Sequence, residues 1–329
     1  MLAAAVTLSF LFMSSDPAIG PGDHRRTITV GERTRLYLLH VPPQYDPKKP
    51  TPVVLALHGA TMTAHGMVWF TGLSEKADSA GFIVAYPNGT GILGKLQTWN
   101  AGGFWDNGAP HANRQNDVEF IARVLDDVEA VVSVDRRRVF ATGMSNGAMM
   151  AYRLAAELSD RIAAIAPVAG TMMANNPQPK RPVPVIHFHG TADTLVPFAG
   201  RGNASPAPLE VGRQPESAPD GRSQAKAAKD LRISLRPVEE TVRTWVKIDG
   251  CPREPQVAKL PHTADDRLAV TRKTYGPGTA GAEVVLYVID GGGHTWPGMD
   301  PPVAFLGKTT KNISANDLIW EFFQRHPMK

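Results

Sequence analysis

Short apolar runs separated by glycine and proline set the pattern of this 329-residue chain. The runs at 52–57, 82–86, 162–166 and 183–188 are almost continuously apolar. That is the signature of strands covered on both faces, as in a parallel or mixed sheet. Stretches 138–141, 268–275 and 284–289, rich in β-branched and aromatic residues, predict further strands. Between them, 67–80, 117–132, 148–158, 238–248 and 314–325 predict helices. Gly81 and Gly250 stop two of these, while Asn116 or Asp117 and Ser314 cap two others. Near the start, 26–30 and 35–41 predict two antiparallel strands joined at Gly31 and Glu32. Strands alternating with helices mean an α/β protein, a mostly parallel central sheet with helices on both faces. No repeat and no second core interrupts the pattern, so 21–329 is expected to be one catalytic domain.

Three stretches depart from that rhythm. Residues 2–13 are apolar but too short to span a bilayer, and the small residues Ala18 and Gly20 follow. The segment 1–20 therefore predicts a cleaved secretory signal peptide and a secreted protein, extracellular or periplasmic. Residues 88–116 form a long loop that holds Trp99 and Trp105 among glycines, as a binding rim would. In 200–236, Gly, Pro, Ser, Ala and mixed charges dominate without a hydrophobic period, which predicts a mobile surface insertion.

Composition narrows the function classes. Hydrophobic residues make up 43% and charged ones 20%, enough to bury a sizeable core. A net charge of +4 with no basic block excludes a nucleic-acid binder of the usual kind. No other run reaches transmembrane length, so no stable membrane insertion is expected. Cys251 is the single cysteine, which rules out an intrachain disulfide. No metal-binding, P-loop or dinucleotide motif occurs, and neither cofactor nor metal is implied. The oligomeric state is left open.

The chemistry concentrates at Gly143-Met144-Ser145-Asn146-Gly147, between a predicted strand and a predicted helix. Strand, G-x-S-x-G and helix together are the context of a nucleophile elbow. A serine hydroxyl needs a base to take its proton and an acid to orient that base. Asp193 lies one tight turn beyond the strand 183–188, where it is either that acid or a turn cap. His294 follows the strand 284–289 and three consecutive glycines, in the correct chain order for the base. His58, His187 and His189 are expected to be hydrogen-bonded structural residues. The oxyanion hole needs two preorganised N–H donors. Asn146 supplies one, and the loop His58-Gly59-Ala60-Thr61 the other, with Ala60 first and Thr61 next. Trp99, Trp105 and Trp296 are candidate substrate contacts, Trp296 equally readable as core packing.

Leu57-His58-Gly59, Trp99-Asn100-Ala101-Gly102-Gly103, Asn116-Asp117-Val118-Glu119, the serine pentapeptide, His189-Gly190-Thr191-Ala192-Asp193 and Gly292-Gly293-His294-Thr295-Trp296-Pro297-Gly298 together carry a resemblance. From about residue 26 the chain resembles the secreted polyhydroxybutyrate-depolymerase-like esterases, which are related to the feruloyl and acetylxylan esterases of carbohydrate esterase family 1. The resemblance implies an α/β-hydrolase fold and a secreted serine carboxylic-ester hydrolase acting through an acyl-enzyme on a small or polymeric ester. It places nucleophile, acid and base on Ser145, Asp193 and His294. A feruloyl or acetylxylan esterase is the alternative, and a serine peptidase or an inactive binding protein stands further off. Two features depart from the family. Cysteines usual after the Trp-Asn-Ala-Gly-Gly segment are missing, so aromatic packing is expected to hold that loop. The insertion at 200–236 is also longer than the family pattern and follows the acid loop closely, where it could cap or reshape the substrate cleft.

Overall fold

In the computed structural model, residues 19–92, 95–102, 116–202 and 234–329 are described. Most of the predicted signal segment, Trp105 and most of the 200–236 insertion lie outside them. Strand β3 (Thr51–Leu57) is buried at every position, and the sheet extends from it on both sides. The strand order is β1-β2-β4-β3-β7-β8-β9-β12-β11-β10. Here β1 is Gly22–Val30, β2 Arg33–Val41, β4 Ile83–Pro87, β7 Val134–Met144 and β8 Ile165–Val168. β9 is Val185–Gly190, β10 Gln256–Lys259, β11 Val270–Tyr275 and β12 Val284–Ile289. The stretch from β4 through β12 is parallel, and an antiparallel pair closes each side.

Period-two alternation assigns the core. Val53, Leu55 and Leu57 of β3 point to one face, and Val54 and Ala56 to the other. The first face is covered by α3 (Asp117–Val131), α4 (Asn146–Glu157) and α5 (Val238–Ile248), through Phe120, Met150 and Trp245. The second is covered by α1 (Ala64–Thr71), α2 (Leu73–Ala80) and α6 (Ala315–Arg325), through Phe70, Ala77 and Phe323. The expected mostly parallel sheet with helices on both faces is what the chain forms. Among the described residues, no helix is long and apolar enough to cross a membrane.

Three elements differ from the expectation. The helix predicted over 67–80 is two helices, broken at Gly72, whose φ of 58° ends α1 through an N–H bond to the Val68 carbonyl. A left-handed residue cannot continue a right-handed helix, and Gly takes that conformation without strain. The predicted loop 88–116 contains a hairpin, β5 (Thr90–Ile92) against β6 (Lys95–Thr98). The edge strand β10 was not expected, because its positions are exposed or half-buried and show no apolar alternation. Two hydrogen bonds of 2.7 and 2.8 Å between Arg201 and Leu235 tie together the ends of the insertion.

At the end of α5, Asp249 is fully buried, and one of its carboxylate oxygens accepts from the Val183 N–H at 2.9 Å. The other has no partner among the described residues. Burial pushes the carboxyl up to about 8, against the opposing pull of Val183 and Arg181. The folded protein therefore keeps a proton there that the unfolded chain gives up above its ordinary value of 3.8. Stability from this group is full below that value and is lost as pH rises through about 8. Asp249→Asn is expected to match wild type in thermal unfolding near pH 4, to exceed it increasingly up to about pH 8 and to keep a constant margin above that. A difference that stays constant across the whole range would contradict this assignment.

Candidate active site

Strand β7 ends at Met144 and helix α4 begins at Asn146, leaving Ser145 alone at the turn. Its φ of 57° and ψ of −119° lie outside the usual regions for a residue with a side chain. Two close approaches enforce this. A Cβ at Gly147 would strike the Leu57 carbonyl, and one at Gly143 would strike the Gly147 backbone. Ser145 is further fixed by its N–H bond to the Val168 carbonyl, 2.9 Å, at the end of β8. Ser145 as a whole is half-buried just before α4.

Strands β7, β8, β9 and β12 are consecutive and parallel, so loops leaving their carboxyl ends share one edge of the sheet. Asp193 follows β9 and His294 follows β12. A Cβ at Gly190 would strike the Gly292 carbonyl, so the two loops meet backbone to backbone. The His294 Nδ1–H donates to Asp193 Oδ2 at 2.7 Å, and both side chains are buried. The other carboxylate oxygen accepts from the Leu195 and Val196 N–H groups, each at 2.9 Å. Burial alone would raise the Asp193 carboxyl, but hydrogen bonds from His189 and His294 outweigh it and hold the group well below the usual carboxylate range. An ionised partner on Nδ1 keeps the Nε2 lone pair of His294 free to act as a base. The His294 N–H is anchored on the Leu306 carbonyl at 2.7 Å.

The loop after β3 faces this turn. His58 is fully buried, and its ring bridges the Gly59 carbonyl and the Gly89 N–H, both at 2.8 Å. The Gly89 N–H can only donate to Nε2, so Nδ1 carries the proton. Burial pushes the imidazole down to about 4, and the nearby Arg35 adds to the effect. The Thr61 N–H is committed to the Gln97 carbonyl at 2.7 Å. Of the two expected donors, that leaves the Ala60 N–H uncommitted among the described residues. The Asn146 N–H, at the first position of α4, is likewise without a partner among them.

The Asn146 side chain has a function that its place in the pentapeptide did not reveal. Its Oδ1 accepts from the Trp99 N–H at 2.6 Å, and its Nδ2 donates to the Trp99 carbonyl at 3.1 Å. Beyond Trp99, the buried Asp117 carboxylate accepts from Asn100 N–H at 2.7 Å and from Arg35 at 2.6 Å. The Arg35 guanidinium sits 3.7 Å over the Phe120 ring. Residues 99–102 are therefore held by a buried ion pair and an amide clamp, while the loop after them, where aromatic packing was expected, lies outside the described residues.

The structure corrects the reading of Trp99 as a substrate contact and selects core packing for Trp296. Trp99 is 0% exposed and Trp296 1%, so neither ring is open to a ligand. Their indole N–H groups are used internally, on the His58 carbonyl and on Asn316 Oδ1, each at 2.9 Å. Trp105 lies outside the described residues. Among the described residues, Leu96 and Phe305 are exposed apolar side chains, 51% and 70% exposed, each next to a residue that bonds to the site's loops. Leu96 precedes Gln97, which holds the Ala60 loop, and Phe305 precedes Leu306, which holds His294. Among the described residues, no three His, Cys, Asp or Glu side chains are grouped to hold a metal ion.

A strained serine at a strand-to-helix turn on a mostly parallel sheet, with an aspartate–histidine pair at the same edge, defines an α/β-hydrolase. The model of the phospholipase/carboxylesterase family matches residues 44–217. The chain belongs to that family and is a carboxylic ester hydrolase. It is 32% identical over 303 residues to NocK of Nocardia uniformis subsp. tsuyamanensis, a protein assigned to the esterases by its name, covering 90% of this chain and 81% of that one. It is 27% identical over 269 residues to feruloyl esterase B of Piromyces equi, and 29% over 177 residues to the bifunctional acetylxylan esterase/xylanase XynS20E of Neocallimastix patriciarum. Those alignments cover 79% and 54% of this chain, but only 42% and 23% of the fungal proteins. Among solved structures, acetyl xylan esterase from Aspergillus awamori shares the fold, with a TM-score of 0.59 at 17% identity, over 92% of this chain and 99% of that one.

The Asn146 clamp can be tested without touching the backbone donor. Asn146→Ala leaves the N–H in place but deprives a buried N–H and carbonyl of Trp99 of their partners. A loss of about 1–3 kcal/mol in unfolding free energy is expected, with kcat reduced because residues 99–102 no longer brace the turn. Denaturant unfolding and steady-state kinetics on a p-nitrophenyl ester measure both, and unchanged values would refute the clamp.

Proposed function

We propose that this protein is a secreted serine esterase that cleaves carboxylic esters through an acyl-enzyme. The reading is carried by one observation, the 2.7 Å bond from the His294 ring to a buried Asp193 at the sheet edge where Ser145 emerges. Ser145 Oγ attacks the ester carbonyl as His294 Nε2 takes its proton. The tetrahedral oxyanion is received by the Asn146 and Ala60 N–H groups. Collapse breaks the ester C–O bond, and His294 returns the proton to the leaving alcohol. Water then repeats the sequence on the acyl-serine, releasing the acid. Asp193 holds the imidazole in the Nδ1–H tautomer and stabilises the imidazolium.

For the substrate we put first the class named by the fungal relatives, feruloyl or acetyl esters of plant polysaccharide. Hydroxyalkanoate oligomers, the class to which the motif resemblance points, are the second reading. Export rests on the apolar N-terminal segment alone. In either case the proposed apolar contact is the exposed Phe305, one residue before the Leu306 carbonyl that holds the His294 N–H.

Ser145→Ala is expected to abolish turnover and labelling by a fluorophosphonate probe, and Asp193→Asn to lower kcat by about 10⁴-fold. Retention of activity by the serine variant would overturn the mechanism. Methyl ferulate, acetylated xylan and hydroxybutyrate oligomers, assayed side by side, decide the substrate class. Phe305→Ala is expected to raise KM for the aromatic ester several-fold while leaving a p-nitrophenyl acetate control within about twofold, since one aromatic contact is worth about 1 kcal/mol.

A further inference from the structure

Behind Asp193 the core holds three polar side chains that the acyl-transfer steps do not use. Tyr152 on α4 and His187 and His189 on β9 are each no more than 1% exposed. Two residues apart on one strand, the histidines face the same side of the sheet, where α4 and α5 pack. Their rings lie parallel to within 2°. The Tyr152 hydroxyl is 2.8 Å from His187 Nδ1, and His187 Nε2 is 3.1 Å from His189 Nδ1. His189 Nε2 lies 2.8 Å from the Val196 carbonyl and 3.4 Å from Asp193 Oδ2. Apolar side chains would fill this space without the cost of burying polar groups.

The protons in this line can be placed from its two ends. The Val196 carbonyl can only accept, so His189 Nε2 carries a proton. In a neutral ring Nδ1 must then accept, which puts a proton on His187 Nε2. His187 Nδ1 accepts in turn, and the Tyr152 hydroxyl donates. Every bond points the same way, toward the turn that carries Asp193. Burial, together with His189, pushes the His187 imidazole down, consistent with a neutral ring.

We propose that Tyr152, His187 and His189 form a proton-ordered line of positioning residues that aims the His189 Nε2–H at the 193–196 turn and so orients Asp193 against His294. The proposal rests on the reading of Asp193 and His294 as acid and base. Among the described residues, the titratable side chains acting on the carboxylate are His189 from β9 and His294 from the loop after β12. Tyr152 reaches it only through the two rings. Without the His189 donor, more of the carboxylate charge remains for the His294 imidazolium. His294 then binds its proton more tightly, and the acidic limb of the rate profile moves to higher pH.

The test compares His189→Leu, His189→Gln and Tyr152→Phe. The leucine variant is expected to lower kcat at least tenfold with KM within twofold, and to shift the acidic limb of kcat/KM upward by about half a unit to one unit. Glutamine places an amide N–H near the position of Nε2 and is expected to restore most of kcat. The tyrosine variant, two bonds removed, is expected to move the limb in the same direction by less. Variants that scale kcat equally at every pH, or a glutamine variant as impaired as the leucine one, would overturn the proposal. Side-chain ¹⁵N NMR of the unmutated protein gives an answer independent of folding defects and of activity. Nε2–H tautomers are expected for the neutral rings of both His187 and His189, and an Nδ1–H tautomer at either would refute the line. Activity surviving in Ser145→Ala would instead refute the reading of the site, leaving the tautomer result to stand by itself.

Discussion

A carboxylate buried to 4% exposure must be ionised to serve His294, and the architecture around it answers that requirement. Water cannot solvate Asp193, so fixed donors have to. Two come from its own turn, the N–H groups of Leu195 and Val196. The third is the His294 ring, and His189 stands behind as a fourth, more distant one. Supplying them demands that the loops after β9 and β12 touch through their backbones. A side chain at Gly190 would hold those loops apart, and one at Gly292 would strike Ile289 at the end of β12. The glycines around the acid and the base are thus the geometric condition for a stable buried charge.

The opposite side of the serine turn follows a parallel logic with different groups. An oxyanion hole works only if its N–H donors do not have to move when charge develops. Ala60 is immobilised through its neighbours, the neutral His58 ring on one side and the Thr61–Gln97 bond on the other. Asn146 is immobilised from its own side chain, which pairs with both backbone groups of Trp99 as a neighbouring strand would. Trp99 in turn closes the circle by donating to the His58 carbonyl. Both donors are therefore braced by one connected set of hydrogen bonds that reaches back to the buried Arg35–Asp117 pair.

Much of this was legible in the sequence, and for a common reason. Ser145, Asp193 and His294 each sit just past an apolar run and beside glycines, so local pattern and chain order were enough to bring them to one sheet edge. What escaped depended on tertiary contacts. The helix break at Gly72 looks like a tolerated glycine in a helical stretch, because only the observed φ of 58° marks a cap. Strand β10 carries exposed polar positions and is defined by its pairing with β11 alone. Tryptophans in a glycine-rich loop suggest an open rim, yet the ring N–H groups of Trp99 and Trp296 are spent inside the protein. Asn146 was recognised for its backbone, while its side chain acts on a residue 47 positions away. The polar line through Tyr152 and His187 was readable only as structural histidines, since the tautomer order needs both of its ends.

Specificity must come from elsewhere, because a nucleophile, a base and two N–H donors treat every ester carbonyl alike. The interior of the site is committed: His58, Trp99, Asn146 and Trp296 are buried and bonded to their own chain. Among the described residues, exposed apolar side chains lie in two segments that bond to the site's loops. The β5–β6 hairpin brings Leu96, and the turn before Leu306 brings Phe305. Arg201, which pairs with Leu235, also donates to the Thr194 carbonyl within the acid loop. Each of these segments is joined by a backbone carbonyl to a residue that builds the site or its supporting loop. A change of loop sequence that keeps those carbonyl contacts leaves the donors and the base in place.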